Sequence, residues 1–146
     1  MPLKLTLDNE QLAEAFYENA FLLGIMASLE PHRFVWQVNQ SIRFDFRIKN
    51  ELEIRIHRKG RDYFFPVYEY QEPGAPLFNY LYKNQYDGEY LLPEFKHLDY
   101  LWLLKGDLPN KEEEGLLMED IRQIQGVQLV TVLMLDKIKN KFNLII

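Results

Sequence analysis

The chain has 146 residues, 47% hydrophobic and 27% charged, with a net charge of -5 and no cysteine. That length and balance describe one domain over residues 1–146, able to bury a core, and exclude a disordered or membrane-like chain. The missing thiols exclude disulfides, thiolate metal sites and Cys nucleophiles, and the acidic balance opposes non-specific binding to nucleic acid or anionic membranes. The longest apolar run, from Ala20 to Ala27, is about eight residues against the ~20 that a membrane span needs. The opening Met-Pro-Leu-Lys-Leu-Thr-Leu alternates instead of forming an apolar block, so no signal peptide is expected. These features lead to an expectation of a cytoplasmic protein.

Leu3, Leu5 and Leu7 alternate with Lys4 and Thr6, the pattern of a short strand. Asp8-Asn9-Glu10 offers a helix cap, and Gln11 to Glu18 has helix-favouring composition. Phe21 to Ser28 reads either as a continuation of that helix or as a buried strand, and Gly24 argues against a helix interior. Glu30-Pro31 places Pro in a first helical turn, and Phe34, Val35, Val38 and Ile42 follow as a stripe at helical spacing. From Phe44 the period becomes two. Phe44 and Phe46 alternate with charged neighbours, as do Leu52, Ile54 and Ile56. Lys59-Gly60 predicts a hairpin turn, and Asp62 to Tyr70 its second arm, with Pro66 at a bulge or an unpaired edge position. Residues 71–76 read as a loop, Leu77 to Lys83 as a strand, and Asp87-Gly88 as a further turn.

The strongest strand signal comes next. Tyr100, Trp102 and Leu104 fall on one face of an extended chain and Leu101 and Leu103 on the other, so this strand belongs in the middle of a sheet, covered on both sides. Asn110 with Glu113 three residues later predicts a capping box, followed by a helix burying Leu117, Ile121 and Ile124 and closed by Gly126. Val127 to Leu135 reads as a second strand apolar on both faces. Basic residues from Lys137 to Lys141 then lead to Leu144-Ile145-Ile146, which should form a last strand or dock on the sheet.

Leu92-Pro93-Glu94-Phe95-Lys96-His97-Leu98-Asp99-Tyr100 resembles the signature of the IPExxxVDY family. Leu replaces Ile at its first position and Leu replaces Val at its seventh, while Pro93, Glu94, Asp99 and Tyr100 stand unchanged. Similarity extends to Phe21-Leu22-Leu23-Gly24-Ile25, to Trp36 and Asn39, to Gly126-Val127-Gln128-Leu129 and to Lys137-Ile138-Lys139. The resemblance implies a small bacterial cytoplasmic protein of a family with no assigned activity. It also places a strand at Phe21 to Ser28. It transfers no catalytic residue.

Three groups of residues carry the functional readings. Pro93, Glu94, Asp99 and Tyr100, with His97, form the most polar cluster; the expected role is structural, with acid–base catalysis by Glu94 and Asp99 as a third-ranked reading. Three His and no Cys make a closed zinc site unexpected, and no Gly-rich phosphate loop is present, so neither a metal nor a cofactor is expected. Arg55, Arg58, Lys59 and Arg61 surround one turn, the runner-up reading being a nucleic-acid accessory protein with a basic β-ribbon. Tyr68, Tyr70, Tyr80 and Tyr82 crowd neighbouring strands and, on one solvent-facing surface, would form a protein interface. The expected fold is α+β, with one largely antiparallel sheet of about six or seven strands and two main helices packed on it. The expected function is that of a non-enzymatic interaction or regulatory protein, working with a protein partner or as a homodimer.

Overall fold

The computed structural model describes residues 10–146. The predicted strand at Leu3–Leu7 lies outside the described residues. Helix α1 covers residues 10–16 and leads into strand β1, Ala20–Ala27. The strand expected at Phe21 to Ser28 is thus present, shifted by one residue. Gly24 is needed there because a Cβ at this position would lie 2.4 Å from Leu98 Cδ1. A bare backbone lets the turn before the central strand pack directly onto β1.

Helix α2, Pro31–Ile42, starts with Pro at its first turn and buries Phe34, Val35 and Val38, as the stripe requires. Arg43 ends it in the left-handed conformation. The Asn39 amide then brackets Phe46, accepting from its backbone N–H at 2.9 Å and donating to its carbonyl at 3.2 Å. That clamp holds residues 44–46 outside any strand despite their alternation, and β2 is only Arg47–Ile48.

Strands β3, Ile54–Arg58, and β4, Arg61–Phe65, form the expected hairpin around Lys59 and Gly60, both at positive φ. Pro66 is a corner, not a bulge within one arm. The chain turns there from this hairpin into β5, Val67–Gln71, which belongs to the main sheet. Strand β6, Leu77–Lys83, follows, and β7, Gln85–Tyr86, pairs with β8, Glu89–Tyr90, across Asp87-Gly88.

After a single 3-10 turn at Pro93–Phe95 comes β9, Tyr100–Gly106. Helix α3, Lys111–Arg122, carries the complete Asn110/Glu113 capping box. It is capped at its far end by Gln123, so Gly126, with φ 98, sits in the turn that feeds the last strand instead. That strand is β10, Val127–Leu133.

The main sheet is six-stranded and antiparallel, in the order β10-β1-β9-β6-β5-β2. Tyr100, Trp102 and Leu104 enter the core shared with α2 and α3, and Leu101 and Leu103 enter a second core on the opposite face. The β3–β4 hairpin, the turn at 91–98 and the C-terminal segment cover that second face. The fold is α+β. One strand departs from expectation: β10 lies at an edge, and Leu129 and Val132 are 38% and 40% exposed instead of covered on both faces. The chain end forms a 3-10 turn, Lys141–Leu144, docked by the fully buried Leu144.

Candidate functional site

Pro93 starts the 3-10 turn that brings the chain back towards the sheet, leaving Glu94 exposed. Its carboxylate accepts from the backbone N–H groups of Lys139 and Asn140 at 2.9 and 3.0 Å, and from Asn140 Nδ2 at 2.8 Å. Burial acts to raise the Glu94 pKa. The hydrogen bonds, led by the Asn140 side chain, outweigh that effect and hold the carboxyl below its ordinary value. Asp99 Oδ2 accepts the Ala27 N–H at 2.8 Å, just where β1 ends, while the Asp99 N–H donates to the Ile25 carbonyl at 2.8 Å. Tyr100 is buried, stacks on Phe34 at 4.3 Å and donates its hydroxyl to the Leu29 carbonyl. Its phenol is pushed upward, chiefly by burial.

These groups do not converge. Glu94 ties the turn to the C-terminal segment, Asp99 and Tyr100 tie β9 to the end of β1 and the start of α2, and His97 is exposed. Among the described residues no group of three or more His, Asp or Glu side chains is placed to hold a metal.

The centre of this knot is a residue that sequence reading passed over. Asn84 is fully buried, accepts the Leu92 N–H at 2.9 Å and donates to the carbonyls of Phe95 and Leu98, both at 2.9 Å. Its backbone adds bonds to Asp99 and Leu91. The residue follows directly on the β6 strand pattern, and an amide where an apolar residue is expected was the available signal.

The tyrosines divide between the two faces. Tyr68 and Tyr70 pack against the helix-side core, while Tyr80 and Tyr82 belong to the other core. Antiparallel pairing sets Tyr68 against Leu81 and Tyr70 against Asn79, opposite in face to the Val67–Tyr82 and Glu69–Tyr80 pairs. Tyr82 is fully buried and donates to the Leu144 carbonyl at 2.9 Å; burial drives its phenol well above its ordinary pKa. Burial, helped by Glu69, pushes Tyr80 up to about 12. The four therefore share no solvent-facing patch.

The basic hairpin is paired with acids. Lys59 and Arg58 reach Glu89 at 2.9 and 3.5 Å, Arg61 pairs with Asp87, and Arg55 lies 4.0 Å from Asp62. The hydrogen bond from Lys59 holds the Glu89 carboxyl below its ordinary pKa. Arg61 also lies over the Tyr63 ring. The tip thus clasps β7–β8 and does not present a bare cationic ribbon.

One face of the signature turn is open. Phe95, His97 and Leu98 form one wall of a shallow groove of about 360 Å³, and Leu129 and Val132 of β10 with Met134 just after it form the other. Because the Ile25 carbonyl is turned towards β9 by its bond from Asp99, the Ile25–Val130 pair does not exchange hydrogen bonds across β1–β10. Val130, and by alternation Val132, therefore point their backbone groups away from β1. Arg122 meets the Val130 carbonyl with a long bond of 3.4 Å. Together these observations define an α+β domain whose most polar motif braces its own scaffold and whose apolar opening runs along an edge strand. No family model matches the chain, and no curated protein matches it.

Proposed function

We propose that the protein is a non-enzymatic interaction protein of the IPExxxVDY type that works as a homodimer, joined through the β10 edge and its groove. The supporting observation is the run of apolar exposure along that edge: Leu129 at 38%, Val132 at 40% and Met134 at 57%. An edge strand without proline or charged side chains is a template for pairing. β10 has none of these guards beyond the long Arg122 bond. The occupant is a second copy of this chain. Each copy carries a net charge of -5, so two copies repel least where both are uncharged, and β10 holds no ionisable residue. An antiparallel strand is also self-complementary about a two-fold axis, which is the geometry of a closed dimer.

The carboxylates that an enzyme would use are already engaged in holding backbone N–H groups, which supports a structural role for Glu94 and Asp99. The ion pairs of Arg55, Arg58, Lys59 and Arg61 weigh against the nucleic-acid reading. The lack of Cys fits a reducing cytoplasm.

Sedimentation velocity at about 100 µM tests the dimer, a range in which specific interfaces are populated. The wild type should sediment as a dimer and the double variant Leu129→Glu/Val132→Glu as a monomer. Mixing that variant with Leu129→Lys/Val132→Lys should restore dimers by pairing opposite charges. A wild type that stays monomeric, or a Glu variant that still dimerises, would refute the assignment.

A further inference from the structure

On the helix side of the sheet a cavity of about 240 Å³ opens beneath the start of α3. Phe44 and Leu117 form apolar walls, and Glu72, Asp107 and Glu113 stand around it. Asn79 lines it and is only 1% exposed. The orientation of this amide is set by Trp102, whose Nε1–H donates to Asn79 Oδ1 at 2.9 Å. The amide Nδ2 therefore faces the other way, and it has no hydrogen-bond partner among the described residues. Among the described residues no fully occluded side-chain polar atom lacks a partner, so Nδ2 opens onto the cavity. A buried amide donor left open to a pocket selects for an acceptor on whatever enters.

The charges select further. Glu113 uses one carboxylate oxygen to accept the Asn110 N–H, while Glu72 and Asp107 are exposed and make no side-chain ion pair among the described residues. An anionic ligand would meet three carboxylates, and a cationic one is attracted by them. We propose that this cavity is a binding site for a small organic cation, with an ammonium group at the carboxylates, an apolar body against Phe44 and Leu117, and a neutral acceptor such as a hydroxyl or carbonyl at Asn79 Nδ2. The site is independent of the β10 edge.

Tyramine has this arrangement of groups, 4-hydroxyphenylacetate keeps the ring and hydroxyl but replaces the cation by an anion, and phenethylamine lacks the acceptor. The chain holds two Trp, so a ¹H–¹⁵N spectrum has two indole signals, and Trp36→Phe assigns them because Trp36 is 59% exposed. Tyramine should shift the Trp102 indole signal saturably and leave that of Trp36 unmoved. Phenethylamine should bind more weakly, and 4-hydroxyphenylacetate should leave the Trp102 signal in place. Removing both exposed rim charges in Glu72→Gln/Asp107→Asn should weaken tyramine roughly tenfold, as two partly solvated ion pairs would. A Trp102 signal that does not move with tyramine overturns the site. So does an anion that binds as tightly as the amine, or an affinity indifferent to the rim variant.

Discussion

Asn84 and Asp99 show how much a single side chain holds when it satisfies several backbone groups at once. Asn84 uses both ends of its amide inside the core, and replacing it by Asp exchanges two donations for a carboxylate facing the Phe95 and Leu98 carbonyls. Unsatisfied buried polar groups cost about 1–3 kcal/mol each, so Asn84→Asp should destabilise by roughly 3 kcal/mol or more. Asp99→Asn keeps an acceptor for the Ala27 N–H and loses only the charge, so its cost should be about 1 kcal/mol. Denaturant midpoints at equal m-value measure both. The reverse order of losses would mean that Asp99, not Asn84, is the centre of the turn.

Strands β9 and β10 both carry apolar residues on two faces and are opposite in circumstance. Trp102 in β9 is fully buried between α2, α3 and the Phe44–Phe46 segment, with Phe46 edge-on at 5.0 Å. Leu129 in β10 faces the open groove. Trp102→Ala should therefore cost about 3–5 kcal/mol, while Leu129→Ala should stay within about 0.5 kcal/mol for a monomer. Chemical denaturation at low protein concentration, where the proposed dimer is dissociated, reads the contrast directly. Equal losses would mean that the groove is closed in solution. At the same scale, the β3–β4 and β7–β8 hairpins carry opposite charges at their tips, and Glu89 is the hinge of that clasp.

Across the whole molecule, the C-terminal segment is fastened to the sheet by hooks distant in sequence. Glu94 holds Lys139 and Asn140, Tyr17 donates to the Lys141 carbonyl, Tyr82 to the Leu144 carbonyl, and Asn143 to the Leu91 carbonyl. One of these hooks titrates. The folded Glu94 pKa lies below its ordinary 4.5, so its stabilising contribution is complete above that value and is lost as pH falls through the folded pKa. Wild type should thus lose stability relative to Glu94→Gln on acidification, the two being furthest apart at neutral pH and converging as pH falls below 4.5 and through the folded pKa. Thermal midpoints followed against pH check this, with amide exchange at residues 137–146 as a local readout. Parallel curves would show that the charge of Glu94 plays no part in holding the segment.

Sequence by itself determined what depends on neighbours along the chain. The alternation of Tyr100 to Leu104 assigned each side chain to its face, Lys59-Gly60 and Asp87-Gly88 marked the turns, and Asn110 with Glu113 marked a helix start. Each follows from a period, a φ preference or a cap spanning a few residues. That Glu94 and Asp99 need backbone donors was legible, because a carboxylate beside a proline-led turn or on an apolar face requires them. Which donors they found was not. Glu94 reaches a segment about forty-five residues away, and Asp99 reaches the end of β1. Only the tertiary structure decided that β10 is an edge, that Pro66 turns a corner between two sheets, and that the tyrosines lie on opposite faces. Hydrophobic pattern records that a side chain can be covered, but strand order decides whether anything arrives to cover it.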